Sequence, residues 1–214
     1  MPTYKILFVG LGKMGFHMAA YLSKNKNFKL FVFNRTKSVE HKWKKKFIAE
    51  SYNFKNDIKF DFIISCLKDD NAVNTFFSKF LKTSNYHKNS IIIDHSTISL
   101  RQIDLLSRSF KQRKVKFLDA PITGGEEGAK KGSLSVMVGG TEPNFNKSKR
   151  IISSYSKSIT HMGKLGSGQL TKFTNQILIC GILYSISEAY LFSKKNNLDQ
   201  KKIFNAIKNG AANS

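Results

Sequence analysis

The chain has 214 residues, room for one large domain or for one domain and part of a second, and its 41% hydrophobic content suits a soluble core. Lys and Arg total 36 against 14 Asp and Glu, a net charge of +22 that makes nucleic acid and anionic membrane partners to be weighed. The excess is mostly lysine scattered beside Asn, Phe and Ile, which points to compositional bias, with an anionic substrate or phosphate-rich cofactor as a secondary beneficiary. Cys66 and Cys180 lie far apart in apolar contexts and offer no spacing for metal or redox work. They read as buried free thiols in a reducing, cytoplasmic compartment. Met1-Pro2-Thr3-Tyr4 leaves no room for a signal peptide before the first strand.

The first stretch is the strongest. Ile6 to Val9 reads as a strand buried on both faces of a parallel sheet. Gly10-Leu11-Gly12-Lys13-Met14-Gly15 then places three glycines at G-x-G-x-x-G spacing, and a helix follows from Lys13 to Leu22. In a dinucleotide site the first glycine makes the turn, the second admits a pyrophosphate and the third lets helix and strand pack closely. The helix start faces the phosphates with unpaired N–H groups.

Phe28 to Phe33 reads as a second strand, ending at Asn34-Arg35-Thr36. A dinucleotide fold places an acid on the adenosine ribose roughly 20 residues beyond its glycines. Here Asn34 and Arg35 hold that place, and an arginine could grip a ribose 2′-phosphate. NADP is therefore expected over NAD, and Thr36 is expected to cap the next helix. That helix, Lys37 to Ala49, carries the only tryptophan among clustered cations at His41-Lys42-Trp43-Lys44-Lys45-Lys46. It is the best candidate for a nucleic-acid patch, but in so lysine-rich a chain a solvated helix face is the preferred reading.

Further strands are expected at Phe60–Leu67, with its Leu67 end facing the cofactor crevice, and at Ile91–Asp94, Val115–Ala120 and Leu134–Val138. A short edge strand is expected at Ser158–His161. Helices are expected at Asp70–Lys82, Leu100–Gln112 and Thr141–Tyr155. Ligands in open α/β sheets sit beyond the carboxyl ends of the strands, which places Ser96, Thr97 and the loop after Ala120 to meet them. In that loop Thr123 supplies a hydroxyl, and Gly124-Gly125 could turn N–H groups towards a carboxylate or simply make a turn.

The last stretch, Gly163 to Gln176, leads three glycines into a helix running to about Asn196. Lys172, Asn175 and Gln176 share one helical face. A lysine there is functional if buried, and otherwise reaches water from the helix start. From Thr174 to Ser193 the only charge is Glu188. The length permits a membrane span, but Gln176, Ser185, Ser187 and Glu188 favour a helix buried between domains or subunits. A final helix, Gln200 to Lys208, is capped at Asp199. The alternation of strands and helices predicts an α/β fold, with a doubly wound Rossmann-type sheet over residues 1–163. A partial helical domain, one long helix and one short, follows over 164–214.

These three stretches, in this order, resemble the β-hydroxyacid dehydrogenases, which include 3-hydroxyisobutyrate dehydrogenase and tartronate semialdehyde (2-hydroxy-3-oxopropionate) reductase. The family's cofactor motif matches Gly10 to Gly15 with Met18-Ala19. Its substrate motif matches Asp119 to Gly132, with Thr123 where a serine is usual. Its catalytic motif matches Gly163 to Gln176, the lysine falling at Lys172. The pair Asn175-Gln176 is similar to the tartronate semialdehyde reductase branch, and Asn34-Arg35-Thr36 resembles the NADP-preferring members. The resemblance implies Lys172 as general acid and base, with Thr123, Gly124, Gly125, Asn175 and Gln176 on the substrate. It implies Gly10–Gly15, Asn34–Thr36, Leu67 and Thr97 on the cofactor. Imine-reducing relatives generally lack the lysine, which argues for carbonyl chemistry. Relatives also continue beyond the position of Gly210, so the chain is expected to dimerise through the long helix, to aggregate, or to be completed by another polypeptide.

Overall fold

The computed structural model describes residues 4–211; the readings at Met1–Thr3 and at the last three positions lie outside them. Contacts divide the chain into two compact units, Met1–Lys172 and Phe173–Ser214.

The first unit alternates strands and helices: β1 (Tyr4–Val9), α1 (Lys13–Ser23), β2 (Phe28–Phe33), α2 (Lys37–Lys44), β3 (Glu50–Ser51), β4 (Phe60–Ser65), α3 (Asp70–Phe80), β5 (Tyr86–Asp94), α4 (Leu100–Gln112) and β6 (Lys116–Asp119). The parallel strands order as β3-β2-β1-β4-β5-β6, the doubly wound arrangement whose order reverses beside β1. Then come β7 (Ile122–Thr123), α5 (Gly125–Lys131), β8 (Leu134–Gly139), α6 (Glu142–Ile152) and β9 (Ser156–Gly163). β8 runs antiparallel to β6 and β7, and β9 extends the sheet parallel to β8.

Side chains alternate across the sheet, so each central strand feeds two cores. Ile6, Phe8, Ile64 and Ile93 pack with α1, Trp43 and α6 on one face. Leu7, Val9, Ile63 and Ile92 pack with α3 and α4 on the other. This double burial is why the strands read as continuous apolar runs.

Four expectations are corrected. The basic helix stops at Lys44 instead of Ala49, and Trp43 is fully buried, its indole N–H donating to Phe16 O at 2.8 Å. His41 and the lysines of that segment face solvent, but the tryptophan does not, so its ring is not available to stack on a base. The segment after Ala120 is a short strand and the helix α5 where a loop or Gly-Gly turn was expected. Thr36 stands at the N-cap of α2, but its hydroxyl makes no capping bond.

The fourth concerns α7 (Ser167–Lys195), which begins in the first unit and continues into the second, followed there by α8 (Gln200–Ile207) with Asp199 Oδ1 accepting from Lys201 N and Lys202 N. α7 is long and apolar enough to cross a membrane, and little of its apolar stretch is buried. Ile177, Leu183, Tyr184 and Phe192 are exposed in a single copy, as on a helix expected to be buried between domains or subunits; Cys180, read as a buried thiol, is exposed as well. A single copy of the chain does not cover this face.

Candidate active site

Phe33, Val9, Ser65, Asp94 and Asp119 stand side by side in the register of β2, β1, β4, β5 and β6. The loops that follow therefore leave one edge of the sheet together. They carry the glycine turn, Asn34–Thr36, Leu67 and Thr97.

The glycine turn is built by close approach. Gly10 has φ +97°, and a Cβ there would collide with Cys66 O; a Cβ on Gly15 would collide with Gly10 O. Gly12 differs, because a Cβ there meets nothing within 4 Å and its φ of −71° suits any residue. Neither packing nor backbone strain calls for glycine at position 12. Gly12 N-caps α1 without a side-chain capping bond, and the N–H groups of the first turn have no intrahelical acceptors. Open space beside uncapped donors is what a pyrophosphate requires.

Asn34 turns inward. Its Oδ1 accepts from Leu11 N at 2.9 Å and its Nδ2 donates to Thr36 O at 3.0 Å, so the side chain braces the glycine turn. Glu40 is the carboxylate nearest this corner in sequence, and it is buried, accepting from Asn34 N at 3.1 Å and Lys37 Nζ at 3.0 Å. Arg35 and Thr36 are exposed.

Beneath the loops lies a buried polar cluster that sequence reading did not single out. Ser96 was expected to meet ligand. Instead its hydroxyl donates to Asp94 Oδ1 at 2.6 Å and accepts from Leu67 N at 2.9 Å, while Thr97 beside it is exposed. Ser65 Oγ also donates to Asp94 Oδ1, at 2.8 Å. Burial pushes the Asp94 carboxyl up to about 6 against these bonds, and its Oδ2 is buried without a partner among the described residues. His95 lies 2.6 Å from Ala120 O through Nδ1 and 2.8 Å from the Tyr155 hydroxyl through Nε2. The carbonyl fixes Nδ1 as donor, the neutral tautomer, and burial lowers the imidazole to about 4.

The two shifts oppose each other. Raised in the folded state, Asp94 stabilises at low pH, and that contribution is lost as pH rises through about 6. Depressed in the folded state, His95 stabilises above its ordinary value, and that contribution is lost as pH falls towards about 4. Asp94→Asn removes the first contribution alone. Between pH 6 and 4 the variant should lose on the order of 2–3 kcal/mol more stability than the wild type. Urea denaturation at both pH values measures this, and parallel pH profiles would refute it.

On the substrate side, Thr123 ends β7 half-buried. Gly124 and Gly125 follow with φ of +119° and +62°, a left-handed pair that favours glycine and opens α5. Lys172 is half-buried on α7, and desolvation holds its ammonium below the ordinary lysine value. Asn175 and Gln176 belong to the second unit, where Asn175 Nδ2 donates to Gln176 Oε1 at 3.3 Å.

The parallel sheet, glycine turn and uncapped helix define a Rossmann-type dinucleotide-binding protein. Residues 5–163 match the NAD binding domain of 6-phosphogluconate dehydrogenase, and residues 166–214 match the NAD-binding domain family of NADP-dependent 3-hydroxyisobutyrate dehydrogenase. An uncharacterized oxidoreductase of Shewanella frigidimarina is 34% identical over 213 residues, covering 98% of this chain and 73% of that protein. The 2-hydroxy-3-oxopropionate reductase of Escherichia coli is 38% identical over 127 residues, covering 59% of this chain and 44% of that enzyme. The structure of Mycobacterium tuberculosis 3-hydroxyisobutyrate dehydrogenase with L-serine superposes with a TM-score of 0.89 at 25% identity, covering 100% of this chain and 72% of that one. The chain belongs to the β-hydroxyacid dehydrogenase family, the NAD(P)-dependent dehydrogenases acting on CH–OH groups.

Proposed function

We propose that the protein is an NADP-preferring oxidoreductase that interconverts a small β-hydroxy acid and its semialdehyde, of the 2-hydroxy-3-oxopropionate or 3-hydroxyisobutyrate type, with Lys172 as general acid and base. The observation that carries this reading is a half-buried lysine of lowered pKa on the helix that follows a complete nucleotide fold. When bound, the nicotinamide supplies or accepts the hydride. Lys172 donates a proton to the carbonyl oxygen in reduction and, as the neutral amine, takes it from the hydroxyl in oxidation. Thr123, Gly124 and Gly125 hold the substrate carboxylate, and Asn175 and Gln176 bond its polar groups. Gly10 to Gly15 and the start of α1 hold the pyrophosphate, with Leu67 and Thr97 on the neighbouring loops completing the cofactor site.

Arg35 is assigned to the 2′-phosphate of NADP. Support comes from its exposure and from Glu40, whose carboxylate is committed to Asn34 N and Lys37 and is thereby kept from a ribose diol. Arg35→Ser should weaken NADPH binding about 10- to 100-fold, the loss of a charge-assisted pair, with NADH little changed. Fluorescence titration of both cofactors tests this, and equal losses for the two would contradict it.

We assign the exposed apolar face of α7 to a second copy of the chain in the cytoplasm, and no role to nucleic acid or membrane. Leu183→Lys should shift the protein towards monomer in analytical ultracentrifugation. A wild type that stays monomeric at micromolar concentration would rule the assignment out.

A further inference from the structure

We propose that Asp119 and Gln169 form a positioning latch that holds the Lys172 helix in register with the cofactor loops. The proposal rests on the assignment of Lys172 above.

Asp119 is the last residue of β6 and is fully buried. Its Oδ1 accepts from Gly166 N at 2.7 Å and its Oδ2 from Gln169 N at 2.8 Å. α7 begins at Ser167, so these are N–H groups at the helix start, which lack intrahelical acceptors. A remote carboxylate thus caps α7 in the way a local capping box would, and its charge faces the positive end of the helix dipole. Two glycines leave room for it. A Cβ on Gly168 would stand 2.8 Å from Asp119 Oδ2 and 2.5 Å from Met137 O, and a Cβ on Gly139 would collide with Asp119 Oδ1. The helix start can neither slide nor turn without breaking these contacts.

Gln169 makes the second half of the latch. It is fully buried, donating from Nε2 to Ser96 O at 2.7 Å and accepting from Ile98 N at 3.3 Å. It therefore grips the backbone on both sides of Thr97. Ser96 Oγ in turn accepts from Leu67 N and donates to Asp94. An unbroken run of hydrogen bonds leads from the Leu67 loop, through Ser96, to the first turn of α7. Lys172 stands three residues after Gln169, its neighbour on the helix surface. Cofactor seated on the Leu67 and Thr97 loops would thereby order the turn that carries the proton donor. Asp119 and Gln169 touch neither substrate nor reacting atoms in this account; they act through Lys172.

The test uses the full chain with Gln169→Met, which keeps the volume and removes both side-chain hydrogen bonds, and Gln169→Glu. For Gln169→Met the expected result is a fall in kcat of about 10- to 100-fold, with the NADPH Kd held within about 3-fold. Amide hydrogen exchange should show that NADPH protects residues 166–172 in the wild type and not in this variant. In Gln169→Glu a protonated carboxyl can again donate to Ser96 O, so the variant-to-wild-type kcat ratio should rise as pH falls. A folded Gln169→Met with wild-type kcat, or NADPH protection of residues 166–172 that is alike in wild type and variant, would overturn the latch. If no form turns substrate over, the proposed function fails while hydrogen exchange still decides the latch.

Discussion

Lys172→Ala should lower turnover about 100- to 10,000-fold, the range for losing a positioned acid–base group, while NADPH affinity and folding are retained. Lys172 is half-buried, and desolvation depresses its pKa. A depressed pKa brings both proton states within reach of working pH, as a reversible dehydrogenase needs. The two directions then have opposite pH profiles. Oxidation requires the neutral amine and rises with pH through the lowered lysine pKa. Reduction requires the ammonium and falls over the same interval. Lys172→Arg should not rescue oxidation, because a guanidinium stays protonated at all working pH values. Steady-state rates in both directions test this. A Lys172→Ala enzyme that keeps most of its activity would remove Lys172 from the chemistry.

The second large effect separates three glycines that look alike in the sequence. Gly10→Ala and Gly15→Ala should each destabilise the protein by about 2 kcal/mol or more, because each new Cβ collides with backbone and Gly10 also needs its positive φ. Gly12→Ala should change stability by less than about 1 kcal/mol, since its Cβ meets open space and its φ is ordinary. Its effect falls on the ligand: NADPH affinity should drop about 10-fold or more, because the methyl group enters the pyrophosphate path. Thermal unfolding paired with cofactor titration separates the cases. A Gly12→Ala protein that binds NADPH normally would place the pyrophosphate elsewhere.

The contrast among these glycines shows where sequence reading stops. The order of strands and helices was legible because burial on both faces writes continuous apolar runs into β1, β4 and β5. The motif named all three glycines, but only the structure separates those that permit packing from the one that faces ligand. α5 was missed because Gly125 and Gly128 lower the helix propensity of a seven-residue segment. Its signals were present in Glu126 and Glu127 in the first turn, Lys130 paired with both, and Gly132 at the stop. The buried Trp43 donates to Phe16, 27 residues away, a partner that no local pattern records. The buried cluster of Asp94, His95, Asp119 and Gln169 was invisible for the same reason. Each partner is an ordinary residue until the strand ends and the start of α7 meet. At Asn34 the sequence located the corner, and the structure adds that its side chain braces the glycine turn.

Catalysis at the cofactor site is tested most directly by one assay. Wild-type protein is mixed with NADPH and 2-hydroxy-3-oxopropionate, or the semialdehyde of 3-hydroxyisobutyrate, and loss of reduced nicotinamide is followed beside the hydroxy acid formed. Equal amounts of the two are expected, formed faster with NADPH than with NADH. NADPH that binds tightly and is never consumed with either semialdehyde would contradict this expectation and leave a nucleotide-binding module without turnover.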